Sequence, residues 1–235
     1  MTTARSRIPL PAVVLLLALV TVLSACSAST QPTTDPTKTL AAAKRQLDAT
    51  SGVHVGLSTK KLPTGVSGLV GADGIGTHAP AFSGTIKVSA SGVTADASVV
   101  AVNGKVYAKL PFTTKFAPIN PADFSAPDPA RLMSPTGGLS SLLTAAKRIT
   151  QGGQVRQGKT VLRSFTGTVP GRAVAALIPS ASRSASFRAT FTVTDKDRLA
   201  KAVLTGPFYP AAKGTDVTYT VTFGQYGVKK TITAP

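Results

Sequence analysis

The chain contains no glutamate, no tryptophan, a single cysteine and two histidines. Each scarcity removes a class of protein. One thiol cannot pair internally, so no disulfide framework holds the fold. The Cys and His together are too few for a Cys/His metal cluster. All nine acids are aspartates, and their scatter along the chain argues against a carboxylate-pair hydrolase. Charged residues make up only 15% of the 235 positions while 43% are hydrophobic, a balance that argues against wholesale disorder.

What is present is an excess of positive charge. The 26 Lys and Arg give a formal net charge of +17, which points to a polyanionic partner or surface. Nucleic acid is disfavoured, because the N-terminus marks the chain for export. Arg5 and Arg7 form a positive region, and no charge occurs from Ile8 to Ala25. The most apolar stretch, Ala12 to Val22, has the length of a signal-peptide core and falls short of the ~20 residues of a spanning helix. It ends in Leu23-Ser24-Ala25-Cys26, which resembles a bacterial lipobox. Small residues there let processing enzymes reach the Cys, which receives a diacylglyceryl thioether and is often N-acylated, commonly with palmitate. An ordinary cleaved signal with an incidental Cys, or an uncleaved anchor helix, are the alternatives. The expected organisation is a signal peptide over 1–25, a Ser/Thr/Pro-rich lipidated tether over 26–36 and one domain over 37–235. Two or more acyl chains would hold the protein stably on the outer face of the cell membrane. About 200 residues remain for a single core.

The pattern in that domain is mostly alternating. Residues 36–50 carry Leu40, Ala43 and Leu47 at helix spacing behind Pro36, with Gly52 as the stop. Residues 53–59 read as a strand. Three alternating runs follow, 82–90, 93–102 and 105–110, joined by Ser91-Gly92 and by Asn103-Gly104, a strong hairpin signal. Two-residue turns pair Ala101 with Val106, Val99 with Ala108, Val88 with Ala95 and Ile86 with Ala97, so apolar meets apolar throughout a meander. A Pro-rich stretch over 111–136 includes a short helical turn at Pro129 to Met133. An amphipathic helix is expected over 137–149, with Leu139, Leu142, Leu143, Ala146 and Ile149 on one face and Gly152-Gly153 as its end. A hairpin around Gln157-Gly158 leads to a strand over 160–169. Residues 171–178 form a short helix stopped by Pro179. Strands over 185–194 (with Phe187 and Phe191 inward), 199–205, 215–223 and 227–233 close the chain. The sum is an α+β fold: about nine or ten antiparallel strands in a curved sheet, with helices on its apolar side.

The inward residues of the meander include Gly84, Ala90, Ala95, Ala97, Ala101 and Ala108, small side chains placed together. Cores normally interlock large with small. Either helices approach closely here, as in Ala-rich interfaces, or a dry apolar space remains that suits an acyl chain.

Four segments carry a resemblance: ASVVAVNGKVYAKL (97–110), DPARLMSPTGGLSSLLTAAK (128–147), GGQVRQGKTV (152–161) and YTVTFGQYGVKKTITAP (219–235). With the order of lipobox, tether, helix, meander, Pro-rich loop, helix and closing strands, the chain resembles the LppX/LprA/LprF/LprG family of mycobacterial cell-envelope lipoproteins, the LprG-type members most closely. The departures fall at 60–80 and 206–214. The resemblance implies a half-barrel sheet with helices over its concave face and a large apolar cavity for acyl chains, of triacylglycerol or of phosphatidylinositol-based glycolipids. The expected lining is Ile86, Val88, Ala95, Ala97, Val99, Ala101, Val106, Ala108 and Leu110 from the meander, with Leu139, Leu142, Leu143, Phe187 and Phe191 opposite. Expected partners are an acylated lipid, an anionic membrane surface and, in an alternative non-carrier role as a scaffold, a membrane transporter.

Basic residues Lys60, Lys61, Lys147, Arg148, Arg156 and Arg172 are candidates to meet a headgroup; the other reading is a solvated basic face. Catalysis is not expected. No G-x-S-x-G elbow occurs, His54 and His78 have no evident carboxylate partner, and Asp123, Asp128, Asp195 and Asp197 read as turn or cap residues. No cofactor or metal is expected.

Overall fold

A computed structural model describes residues 1–2, 35–90, 92–124, 126–210, 212 and 215–235. The signal segment, the lipobox with Cys26, the tether up to residue 34, and Ser91 lie outside the described residues. The chain divides into two units, Met1–Pro32 and Thr33–Pro235, and every element below belongs to the second.

Asp35 starts the fold. Its Oδ1 accepts hydrogen bonds from the backbone N–H of Thr37 at 2.9 Å and of Lys38 at 3.3 Å, and Pro36 sits where a helix needs no donor. Helix α1 (Pro36–Asp48) buries Leu40, Ala43 and Leu47. It ends at Ala49 and not at the expected Gly52, because Gly52 already belongs to β1 (Gly52–Thr59). There the Gly52 carbonyl accepts from the N–H groups of Gly227 and Val228.

The strands that follow are β2 (Gly68–Thr77), β3 (Ala81–Ala90), β4 (Val93–Val102), β5 (Lys105–Lys109) and the short β6 (Ala117–Ile119). A 3₁₀ turn (Pro121–Phe124), α2 (Pro129–Leu132) and α3 (Ser141–Ala145) then lead to β7 (Lys147–Gln157) and β8 (Thr160–Pro170). After α4 (Gly171–Leu177) come β9 (Ser186–Thr194), β10 (Leu199–Gly206) and β11 (Val217–Gly224). The eleven strands form one sheet in the order β6-β5-β4-β3-β2-β1-β11-β10-β9-β8-β7, antiparallel at every junction. The chain therefore winds outward from β1 to one edge. It crosses to the other edge through α2 and α3, then winds back until β11 zips onto β1. The expected meander pairs are all present: Ala101 with Val106, Val99 with Ala108, Val88 with Ala95 and Ile86 with Ala97. Asn103 and Gly104 both have positive φ, 53° and 71°, as a type I′ hairpin turn requires.

Three expectations fail. The first is the strand count. β2 lies in a segment from which no strand is expected, because its four glycines hide the alternation, and β6 is too short and Pro-rich to register. The second is the helix over 137–149, which shrinks to Ser141–Ala145. Gly137 has φ of 72° and the Leu139 N–H turns back to the Leu132 carbonyl. Beyond Ala146 the backbone is extended, because β8 needs a partner on its outer side and Lys147–Gln157 supplies it. Gly152 and Gly153 are thus strand residues. The third is the final strand over 227–233, which is irregular. β11 already has β1 and β10 on its two sides, so no edge is open beside it.

The main core joins α1, α3 and α4 to the strands from β8 to β11 and β1. Leu40, Leu47, Leu143, Phe165, Phe187, Phe191, Leu199 and Phe208 are its largest members at most 2% exposed. α2 packs over β2, β3 and β4. A second, smaller cluster there holds Phe82, Val99, Ala101, Val106, Ala108 and Ala130.

Candidate functional site

Whether small residues leave a space depends on what leans over them. Gly74 of β2 faces Gly84 of β3, and the Phe82 ring fills the gap. A β-carbon at Gly74 or Gly84 would come within 2.7 or 2.9 Å of the ring's Cζ. Gly76 is capped in the same way by Met133, whose Cγ would lie 2.5 Å from an added β-carbon. Ala101 is wholly buried beneath the cluster around Phe82. At the other end of the same strands Ala95 is exposed and Ala97, 7% exposed, borders an open space beneath the sheet.

The hollow has two adjoining parts. The larger, about 380 Å³, lies between β3–β6 and the Pro-rich segment that precedes α2. Ile86, Val88, Ala95, Ala97, Val99, Val106, Ala108 and Leu110 line it from the meander and Ile119 from β6, with Phe124, Pro127 and Pro129 on the other side. The smaller, about 100 Å³, lies between β1, β2, β10 and β11 on one side and α2, α4 and the chain before α3 on the other, with Leu139 and Leu142 in its wall. Leu69, Ile86, Pro127 and Pro129 border both. The larger part exceeds the ~150 Å³ that accepts a benzene-sized molecule and falls within the ~300–1,000 Å³ usual for ligand pockets. Its lining side chains are apolar apart from Asp96, Thr113 and Lys115, so water gains few partners inside.

Four expected lining residues belong elsewhere. Ala101, Leu143, Phe187 and Phe191 border neither part of the hollow; each is at most 1% exposed and locked in a packed cluster. Phe187 meets Phe208 edge-on at 4.9 Å, and Phe208 meets Tyr219 at 4.8 Å. These rings fill the space that an alternation pattern alone leaves undetermined.

Unforeseen in the sequence is the polar stitch at one wall of the smaller part. The Tyr219 hydroxyl donates to the Leu69 carbonyl at 2.9 Å, and the Tyr209 hydroxyl lies 2.8 Å from it. Burial, and then the bond with Tyr209, push the Tyr219 phenol well above the ordinary tyrosine range, so it stays a neutral donor. Gly68 permits the approach, since a β-carbon there would sit 2.5 Å from the Tyr209 oxygen. The stitch joins Tyr209, just after β10, and Tyr219 on β11 to the start of β2.

None of Lys60, Lys61, Lys147, Arg148, Arg156 and Arg172 lines the hollow; Lys115 does. His54 does have a carboxylate partner, contrary to expectation: its Nε2 lies 3.1 Å from Asp73 Oδ1 across the β1–β2 pair, with Asp73 72% exposed. That is a surface pair away from the hollow. His78 is half-buried, its Nδ1 lacks a hydrogen-bond partner, and burial holds its pKa below the ordinary 6.5. Asp128 caps α2 through the Ala130 N–H at 2.9 Å. Among the described residues no group of three or more His, Cys, Asp or Glu is placed to hold a metal ion, and no helix is long and apolar enough to cross a membrane.

The match to known proteins begins where the fold begins. Residues 35–232 match the model of the LppX_LprAFG lipoproteins. The chain belongs to this family. Two solved structures share the architecture. LprF from Mycobacterium bovis superposes with a TM-score of 0.68 at 16% identity, over 85% of this chain and 96% of that one. Lipoprotein LppX from Mycobacterium tuberculosis superposes with a TM-score of 0.61 at 16% identity, over 85% and 100%. No curated protein matches the chain in sequence. The wide antiparallel sheet with few helices is thus the family's fold, and the two-part hollow is a feature of this chain's own side chains.

Proposed function

We propose that this lipoprotein is a carrier that shelters lipid acyl chains in the hollow beneath its sheet and moves them between layers of the cell envelope. The observation that carries the reading is the apolar space of about 380 Å³ beside Ala95 and Ala97, continuous in lining with a second space. In this reading the sheet is a half-barrel with the helices over its concave face. Residues 1–25 direct export, Cys26 carries the diacylglyceryl anchor on the outer face of the membrane, the tether runs from there to residue 34, and the carrier begins at Asp35, two residues before the boundary expected from the sequence. The cargo is an acylated lipid or glycolipid of the triacylglycerol or phosphatidylinositol-mannoside type. The basic surface rests against anionic headgroups.

The energetics fit carriage. Each buried CH₂ gains about 0.8 kcal/mol against water, so a long chain is driven strongly into a dry space. A bilayer offers a similar gain. A useful carrier matches the membrane closely, so that cargo can leave, and lowers the barrier by keeping chains out of water in transit. Nothing in this scheme breaks a covalent bond. The competing role, an empty scaffold for a membrane transporter, gains no support from an unfilled apolar space.

Filling that space is the test. Ala97→Trp places an indole where acyl carbons would lie. Displacing only two CH₂ groups at ~0.8 kcal/mol each weakens binding about tenfold. A fluorescent fatty-acid probe should bind the native chain and bind the variant at least that much more weakly, compared at a temperature where circular dichroism shows both folded. Equal binding by both proteins contradicts the assignment.

A further inference from the structure

The larger part of the hollow opens among residues that a water-soluble rim would not carry. Val93 is 70% exposed, Leu110 55% and Phe124 51%, and all three border the opening. Phe112, fully exposed at 100%, stands between Leu110 and Thr113, both of which line the opening. Apart from Met1, the other large hydrophobic residue exposed among the described residues is Val155 on β7, at the opposite edge of the sheet. Single exposed apolar side chains are ordinary; four around one apolar opening are a patch with a purpose.

The charge around the patch has one sign in excess. Asp96, the acid in the lining, is held by Lys87 at 2.8 Å. Lys115 lines the opening, and Lys109 extends over the Phe116 ring at 5.7 Å from its centre. Register places Lys60 and Lys61 at the same end of the sheet. They follow Thr59 where β1 pairs with the start of β2, which in turn pairs with the end of β3 beside Val93. Apolar side chains ringed by lysines are the pattern of an element that enters a lipid interface and pairs with anionic headgroups.

Resting on the carrier reading, we propose that this rim docks the protein mouth-first on an anionic lipid surface. Val93, Leu110, Phe112 and Phe124 enter the leaflet, Lys109 and Lys115 meet headgroup phosphates, and the hollow opens into the acyl layer. Cargo then passes from leaflet to hollow without crossing water.

The chain has no tryptophan, so one introduced indole reports alone. The full chain carrying Phe112→Trp is reconstituted on vesicles of equal phosphatidylcholine and phosphatidylglycerol, and separately Val155→Trp, whose position is 65% exposed. Both sites are open to solvent, so neither change burdens folding. The Phe112→Trp emission should shift to the blue and be quenched by brominated acyl chains, while Val155→Trp stays unshifted. An unshifted Phe112→Trp emission, or equal quenching at both positions, overturns the proposal. Uptake of a fatty-acid probe by the same samples separates the two claims. Uptake with an unshifted indole defeats the docking face alone, whereas an inserted indole without uptake defeats the carrier reading and leaves the docking face standing.

Discussion

At the residue scale, the hollow depends on which small side chains have a large neighbour folded over them. Gly74, Gly76 and Gly84 are covered by Phe82 and Met133; Ala95 and Ala97 border the open space instead. The run of small residues is legible in the sequence. Their different fates are not, because Met133, which caps Gly76 of β2, sits just past α2 and more than fifty residues further along the chain. The same limit explains Phe187 and Phe191. Alternation points them inward correctly, but inward at that end means a packed aromatic cluster. His78 gives a further residue-scale prediction. Burial is the main cause of its lowered pKa, opposed by Asp48 and the Thr50 backbone and aided by Lys44. Below the ordinary 6.5 the unfolded chain binds a proton that the folded chain resists, so stability falls as pH drops through that value toward the lowered pKa. His78→Gln should therefore flatten the decline in urea midpoint between neutral and mildly acidic pH. A native-like decline in the variant would assign the effect to other groups.

At the element scale, regular signals were readable and interrupted ones were not. The hairpin from β4 to β5 follows from Asn103-Gly104 and matched alternation, and its register is as expected. β2 escapes because glycines replace its inward side chains, and those glycines exist to admit Phe82, Met133 and the Tyr209 hydroxyl. β7 escapes because leucines at helix spacing run straight into it. Two irregularities in its pairing with β8 and a positive φ of 50° at Arg148 break the strand's pattern. Those features suit an edge, where bulges and charge discourage pairing with another molecule. Helix α1 depends on its first residues. Asp35→Ala removes an acceptor shared by two N–H groups and should cost about 1 kcal/mol, read as a lower denaturation midpoint with unchanged acyl-probe binding. A loss of binding out of proportion to stability would mean that α1 shapes the hollow directly.

At the scale of the whole molecule, two meanders wind away from a shared seam, β1 against β11, and the segment that crosses between their outer edges roofs the sheet. This arrangement leaves the roof over β3–β6 to a Pro-rich chain and a short helix, while α1, α3 and α4 pack the opposite half. One half is therefore a conventional core and the other covers an open space, the proposed receptacle. The α+β class and the family resemblance were legible; the division of labour was not, because it arises from topology that joins distant segments. The central claim is that the receptacle holds lipid. Native mass spectrometry of the chain lacking residues 1–26, purified without detergent, tests it most directly. The account predicts a population heavier than the polypeptide by the mass of an acylated lipid, released on denaturation and absent from Ala97→Trp. Only the bare polypeptide mass, in folded protein purified without detergent from lipid-containing cells, would contradict it.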